Sequence, residues 1–216
     1  MNLPVIVIGA GGHATVVADA LLASGRQVLG LTDPEPARHG RHICGIPVLG
    51  DDSILKNYSP AQVELANGLG SLGGEAMSLR RRVQEKLEAA GWQFCNVRHP
   101  AAIVSPFARV DATAQLMAGC VVQPGAIVGK GVIVNTAAVV EHDVTVGAWS
   151  HIAPCAVVCG DARVDEACHV GAGAVVRQGV ALGPVTLAGA GAVVIKSFAG
   201  NGTLVGVPAR PIEGSE

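Results

Sequence analysis

The sequence predicts two units of different class, an α/β unit over residues 1–98 followed by an all-β parallel solenoid over residues 99–216. Three observations carry this. A short apolar run, PVIVI at 4–8, leads through GAGGH into a helical pattern. A second apolar stretch at 28–33 and a helical segment at 75–90 continue the alternation of strand and helix. After His99-Pro100 the helical period vanishes and an unbroken period of six begins.

In the N-terminal unit, residues 4–8 form the first strand, and Val16, Val17, Ala20 and Leu21 give the segment after the glycine turn an apolar helical face. Gly25 closes that helix. VLGLTD (28–33) reads as the second strand and 62–66 as the third, ahead of the turn NGLGS. EAMSLRRRVQEKLEAA (75–90) is the second helix, ended by Gly91, and WQFCNV (92–97) a last strand. Arg80, Arg81 and Arg82 share that helix with Glu75, Glu85 and Glu88, which suits a solvated face. The result is a Rossmann-like βαβ unit, smaller than a full two-halved dinucleotide fold.

In the second unit, every sixth residue from Val104 to Val194 is Val, Leu or Ile, with Ala188 the one exception among sixteen. The residue two places earlier, from Ala102 to Ala192, is small or β-branched throughout. No helix or alternating strand repeats in six. A solenoid with flat faces and tight turns does, because each face with its turn uses one hexapeptide. Three faces make an 18-residue coil, and coils stack about 4.8 Å apart, so residues 18 apart lie above one another.

Composition narrows the class. Half of the residues are apolar but only 3% are aromatic, so the core is thin and filled by small side chains. A net charge of −2 leaves no basic footprint for nucleic acid or an anionic membrane. No apolar run approaches the roughly 20 residues of a membrane span. MNLPVIVIGA has neither the basic start nor the cleavage site of a signal peptide, so a cytoplasmic location is expected. The six cysteines (44, 95, 120, 155, 159, 168) lack paired metal spacing and read as reduced thiols.

The hexapeptides together with the terminal VGVPARP (205–211) resemble the left-handed β-helix acyltransferases. GAGGH, NGLGS and NTAAVVEHD (135–143) narrow the resemblance to the sugar O- and N-acyltransferases. That group includes sialic acid O-acetyltransferases and the UDP-4-amino-sugar N-acetyltransferase of bacillosamine biosynthesis. The resemblance covers nearly the whole chain. It implies a left-handed parallel β-helix, a homotrimer, and acetyl-CoA as co-substrate without a metal. The implied activity is direct N-acetylation of a UDP-4-amino-4,6-dideoxy-sugar; O-acetylation of a sialic acid or another sugar hydroxyl is the alternative. The implied partners are a nucleotide-linked amino-sugar and further copies of the chain, with no nucleic acid and no membrane.

Two histidines, His142 and His151, stand in a stretch otherwise rich in small and β-branched residues. The resemblance makes His142 the catalytic base, with Asp143 or Glu141 orienting its ring. Acyl transfer requires removal of a proton, and imidazole titrates near working pH. Adjacent residues in a strand point to opposite faces, so a His142–Asp143 pair requires a local turn. His151 matches an acetyl-CoA contact, and Gly160, Ala172 and Ala190 match others. Gly11, Gly12 and His13 at the first turn, Asp33 and Gly70 are implied nucleotide-sugar contacts. Glycines there let backbone approach phosphate at a helix N-terminus. Gly9-x-Gly11-x-x-Ala14 with Asp33 also satisfies a loose nicotinamide-dinucleotide fingerprint. The shortness of the unit and His13 in the turn argue against that reading. His169, 18 residues after His151, should stack on it, but the third converging ligand of a metal site is missing.

Overall fold

A computed structural model describes residues 3–70 and 74–212, with side chains of the second helix described from residue 79 onward. Ser71 of the NGLGS turn, the Glu75 side chain and the first two residues lie outside the described residues. The described chain divides into two compact units, the main break falling between Pro100 and Ala101, with residues 74–77 grouped with the second. No helix among the described residues is long and apolar enough to cross a membrane.

The N-terminal unit is built on β1 (Val5–Ile8), fully buried and apolar at every position, as a central parallel strand must be. After Gly9 (φ +98°), α1 (Gly12–Ala23) buries Ala14, Val17, Ala18, Ala20 and Leu21, and Gly25 turns the chain out of the helix at φ +74°. β2 (Val28–Thr32) pairs parallel with β1. Two strands were not foreseen: β3 (His42–Ile43) and β4 (Ile46–Gly50) form an antiparallel pair, and β4 also pairs parallel with β2. β5 (Glu64–Asn67) pairs parallel with the other side of β1, so the order β3-β4-β2-β1-β5 puts β1 and β2 inside the sheet. The helix expected at 75–90 is α2 (Gly74–Ala89). The strand expected at 92–97 shrinks to a bridge between Phe94 and Leu65 and a two-residue strand, Val97–Arg98.

The arginine run on α2 is not a uniformly solvated face. Arg81 is half exposed and pairs with Glu85 at 2.8 Å, one turn on. Arg80 is 1% exposed, and burial pulls its guanidinium pKa down to about 10.

The second unit has the triangular cross-section expected. Strands 103–104, 121–122, 139–140, 157–158, 175–176 and 193–194 stack into a first wall. Strands 109–110, 127–128, 145–146, 163–164 and 181–182 form a second. Strands 115–116, 133–134, 151–152, 169–170, 186–188 and 202–205 form a third, closed by the antiparallel strand Arg210–Ile212. Within the repeat all pairs are parallel with an offset of 18, as in Val121↔Val139 and His151↔His169.

One aliphatic residue per strand points inward; from Leu116 to Val194 these are all buried. The small position opposite is buried too, and its two hydroxyls are satisfied. Ser150 Oγ donates to Asp165 O at 2.8 Å and Thr186 Oγ1 to Gly183 O at 2.6 Å. From Gly119 to Gly191 each corner carries a residue at positive φ, again every six residues, among them Ala137, Asp143, Trp149, Cys155 and Asp161.

Truncation in so thin a core leaves a void that neighbouring coils cannot fill. Val158→Ala is expected to lower unfolding stability by about 2 kcal/mol, read from the shift of the denaturant midpoint.

Candidate active site

His142 lies at the corner between the first and second walls, just past strand 139–140. Glu141 is the last residue held by the ladder, its N–H donating to Val158 O at 3.0 Å. The chain then turns, and Asp143 adopts φ +59°, the left-handed corner conformation that Asp tolerates better than most residues. This breaks the alternation of the strand. His142 and Asp143 fall on one side, and His142 Nδ1 meets Asp143 Oδ2 at 2.9 Å. Asp143 is therefore the ring's partner; Glu141 contributes through its field.

Both side chains are more than half exposed, and two glycines give them room. A Cβ on Gly160, one coil on, would sit 2.5 Å from His142 Nε2, and a Cβ on Gly125 would collide with Asp143 Oδ1. The hydrogen bond to Asp143 raises the His142 pKa above its ordinary 6.5, and the charges of Asp143, Glu141 and Asp161 push the same way. The arrangement is a carboxylate-oriented imidazole with Nε2 directed at a backbone that carries no side chain.

The other expected acetyl-CoA residues lie elsewhere on the solenoid. His151 is on the third wall, 6% exposed, with Nε2 3.0 Å from Asn135 Nδ2. Its ring meets His169 edge-on, centroids 4.9 Å apart, and His169 Nδ1 is buried without a hydrogen-bond partner. Ala172 and Ala190 sit at the corner between the third and first walls, linked by Gly191 N–H to Ala172 O at 2.8 Å. With His151 and His169 they line a mostly apolar groove of about 500 Å³. Gly160 is not part of this groove; it belongs to the His142 corner. No group of three or more His, Cys, Asp or Glu among the described residues is placed to hold a metal.

In the N-terminal unit, Gly11 and Gly12 open onto a cavity of about 420 Å³ that also takes in Arg38, Arg41 and His42. Helix α1 starts there with no side-chain cap and no acidic residue in its first turn, leaving its positive end unopposed. His13 lies against Gly70, where a Cβ would come within 3.3 Å of its own. Asp33 is not free: it is buried, accepts from Arg38 Nη1 at 3.0 Å and from Glu35 N–H at 2.9 Å, and so fixes Arg38 by the glycine turn. A second cavity of about 350 Å³ lies over Gly9, Thr32, Asp52 and Leu69, where Thr32 Oγ1 donates to Asp52 Oδ1 at 2.6 Å. The arginines, His42 and Asp52 were not foreseen, because they come from the β2–β4 connection and the turn after β4, which carry no motif.

Known proteins share both units. Residues 4–87 match the family described as the PglD N-terminal domain. The chain resembles the acetyltransferase domain of PglB from Neisseria gonorrhoeae FA1090 in complex with acetyl coenzyme A, with 36% identity over 98% of this chain and 100% of that one and a TM-score of 0.89. It also resembles PerB from Caulobacter crescentus, in complex with CoA and GDP-perosamine, with 34% identity over 97% of each chain and a TM-score of 0.88. WeeI from Acinetobacter baumannii AYE, at 21% identity over 98% of this chain and 100% of its own, with a TM-score of 0.77, shares the fold. An α/β unit followed by a left-handed parallel β-helix is thus the architecture of the chain.

The geometry around His142 sets a titration. An NMR titration is expected to place its pKa above 6.5, and Asp143→Asn to bring it down, since removing the charged acceptor removes the main stabiliser of the imidazolium. An unchanged midpoint in the variant would refute the pairing.

Proposed function

The chain belongs to the hexapeptide-repeat, acetyl-CoA-dependent sugar N-acetyltransferases, and on that premise we propose that His142 is the general base for direct acetyl transfer to the 4-amine of a UDP-4-amino-4,6-dideoxy-sugar. The observation that carries this reading is the His142–Asp143 pair over Gly160. With Nδ1–H donating to Asp143, Nε2 keeps its lone pair and accepts a proton from the attacking amine. The amine nitrogen bonds to the thioester carbonyl carbon, and the carbonyl oxygen takes up negative charge. A backbone N–H at Gly160 suits that oxygen, because the ladder does not use the first N–H of a corner. Collapse breaks the C–S bond, and the imidazolium returns its proton to the departing thiolate. No covalent enzyme intermediate is involved.

Gly11, Gly12, His13 and Gly70 hold the nucleotide, with Asp33 acting by fixing Arg38 beside the phosphate-facing turn. The uridine carrier follows from the sequence resemblance. The Caulobacter complex, with its GDP-perosamine, makes a guanosine carrier the alternative. The protein works as a cytoplasmic homotrimer. In support, the outward residues of the first wall form an aliphatic ladder of Ile103, Val121, Val139, Val157, Val175 and Val193, with Ile103 65% exposed. A continuous apolar stripe of this kind calls for cover. It runs between the His142 corner and the Ala172–Ala190 corner. A second copy laid along it would bring its own groove to the base, so that His151, Ala172 and Ala190 of one copy serve His142 of the next.

Thiol release from acetyl-CoA, measured with UDP-, GDP- and dTDP-linked 4-amino-sugars and a hydroxyl-only sugar, tests the reading. Release with one amino-sugar and a hydroxylamine-stable product is expected; a hydroxylamine-labile product would establish O-acetylation instead. His142→Ala is expected to lower turnover by about 10²–10⁴-fold with the fold intact. Gly160→Ala should cost about 10²-fold by pushing the ring aside, with little change in thermal midpoint, since its Cβ meets only the tip of a side chain.

A further inference from the structure

The corner that carries His142 holds two more carboxylates, Glu141 and Asp161, than orientation of the ring by Asp143 requires. Asp161 stands one coil below Asp143, in the same left-handed turn position (φ +56°), and its N–H donates to His142 O at 3.0 Å. Its carboxylate is exposed and makes no side-chain hydrogen bond or ion pair among the described residues. The nearest cation on the following strand, Arg163, is committed to Asp165 at 2.7 Å. Arg177, at the next coil of this corner, is exposed and bonds to neither aspartate. Gly179, below Asp161, adds no side chain. Asp143 touches the ring, Asp161 is tied to the His142 backbone one coil on, and Glu141 precedes it in the chain; all three carboxylates favour the ring's charged form, and neither Arg163 nor Arg177 bonds to any of them.

Such a field steadies the imidazolium whichever acceptor gives up the proton, but a neutral hydroxyl gains nothing from it on docking. It favours an acceptor that arrives as a cation, and a sugar amine near neutral pH is largely ammonium. We propose that Asp161 is the docking carboxylate for the acceptor's ammonium group, and that with Glu141 it selects an amine over a hydroxyl at the His142 corner. This deepens the reading of His142 as the base of an amine acetyltransferase and rests on it. The chemistry balances: the docked ammonium first releases one proton to solvent, and the neutral amine then attacks as described, yielding acetamide, CoA thiol and that one proton. Asp161 accepts a hydrogen bond from the nitrogen and takes no proton itself.

The test is the acceptor's kinetics in wild type, Asp161→Asn and Asp161→Glu at saturating acetyl-CoA, above and below the ammonium pKa. Below it, Asp161→Asn is expected to raise KM about threefold, the scale of an exposed ion pair, with kcat unchanged. Above it the two enzymes converge. Added salt shrinks the difference, and Asp161→Glu restores the wild-type KM. A KM unchanged at every pH would overturn the proposal, as would one raised equally on both sides of the ammonium pKa, which marks a structural role. If wild type acetylates the amine and His142→Ala does not, such a result removes Asp161 alone. Wild-type enzyme that acetylates only a hydroxyl acceptor overturns both readings.

Discussion

The width of the solenoid core governs the rest of the C-terminal unit. Each coil contributes one aliphatic and one small side chain per face, and the three faces close on a space that these fill at interior density. A longer side chain would overpack it, and a polar one would need a partner inside, as Ser150 and Thr186 have. Chemistry is thereby excluded from the interior and pushed to the outward wall positions and the corners. The outward positions differ from wall to wall, aliphatic on the first and bearing His151 and His169 on the third.

Among these places, only a corner lets neighbouring side chains converge. On a flat wall consecutive residues point in and out, and residues of adjacent coils meet only in stacked columns. At a corner the left-handed residue reverses the chain, and His142 and Asp143 come together. The conformation is imposed by the ladder, since the same turn position holds Ala137, Trp149, Cys155 and Ala167. Glycine or asparagine would meet it at lower cost. Aspartate is present for its carboxylate, and the glycines that stack against the pair, Gly125 and Gly160, keep the columns above and below open. A two-residue motif thus depends on residues 18 positions away in each direction.

This geometry explains what was legible in the sequence. The six-residue period is strict because the core is strict, so walls, coils and the stacking of His151 on His169 could be read directly. The pairing of His142 with Asp143 needed the corner, which the repeat places but does not announce. The N-terminal unit was less legible. β4 went unseen because IPVLG is short and contains Pro47, which the β3 side of the hairpin tolerates. The arginine run hid a buried member because helical phase, and not charge, decides which of three adjacent residues faces inward. Asp33 was correctly placed at a strand end, but its engagement by Arg38 comes from a loop with no pattern to read.

The residues that resemble acetyl-CoA contacts divide between two corners of one triangle, Gly160 beside His142 and Ala172 with Ala190 beyond the first wall. A single extended acyl carrier follows a groove along the stack, and it does not wrap around a flat wall lined by valines. If all these residues serve one acetyl-CoA, two copies must supply them, and the valine wall between the corners is then the surface they share. An active site split in this way ties activity to assembly: a monomer would fold, since every inward residue finds its partners within one chain, yet it would hold the base and the groove apart. On that proposal the core is selected for packing alone, while the catalytic requirement falls on the outward residues of one wall and its two edges.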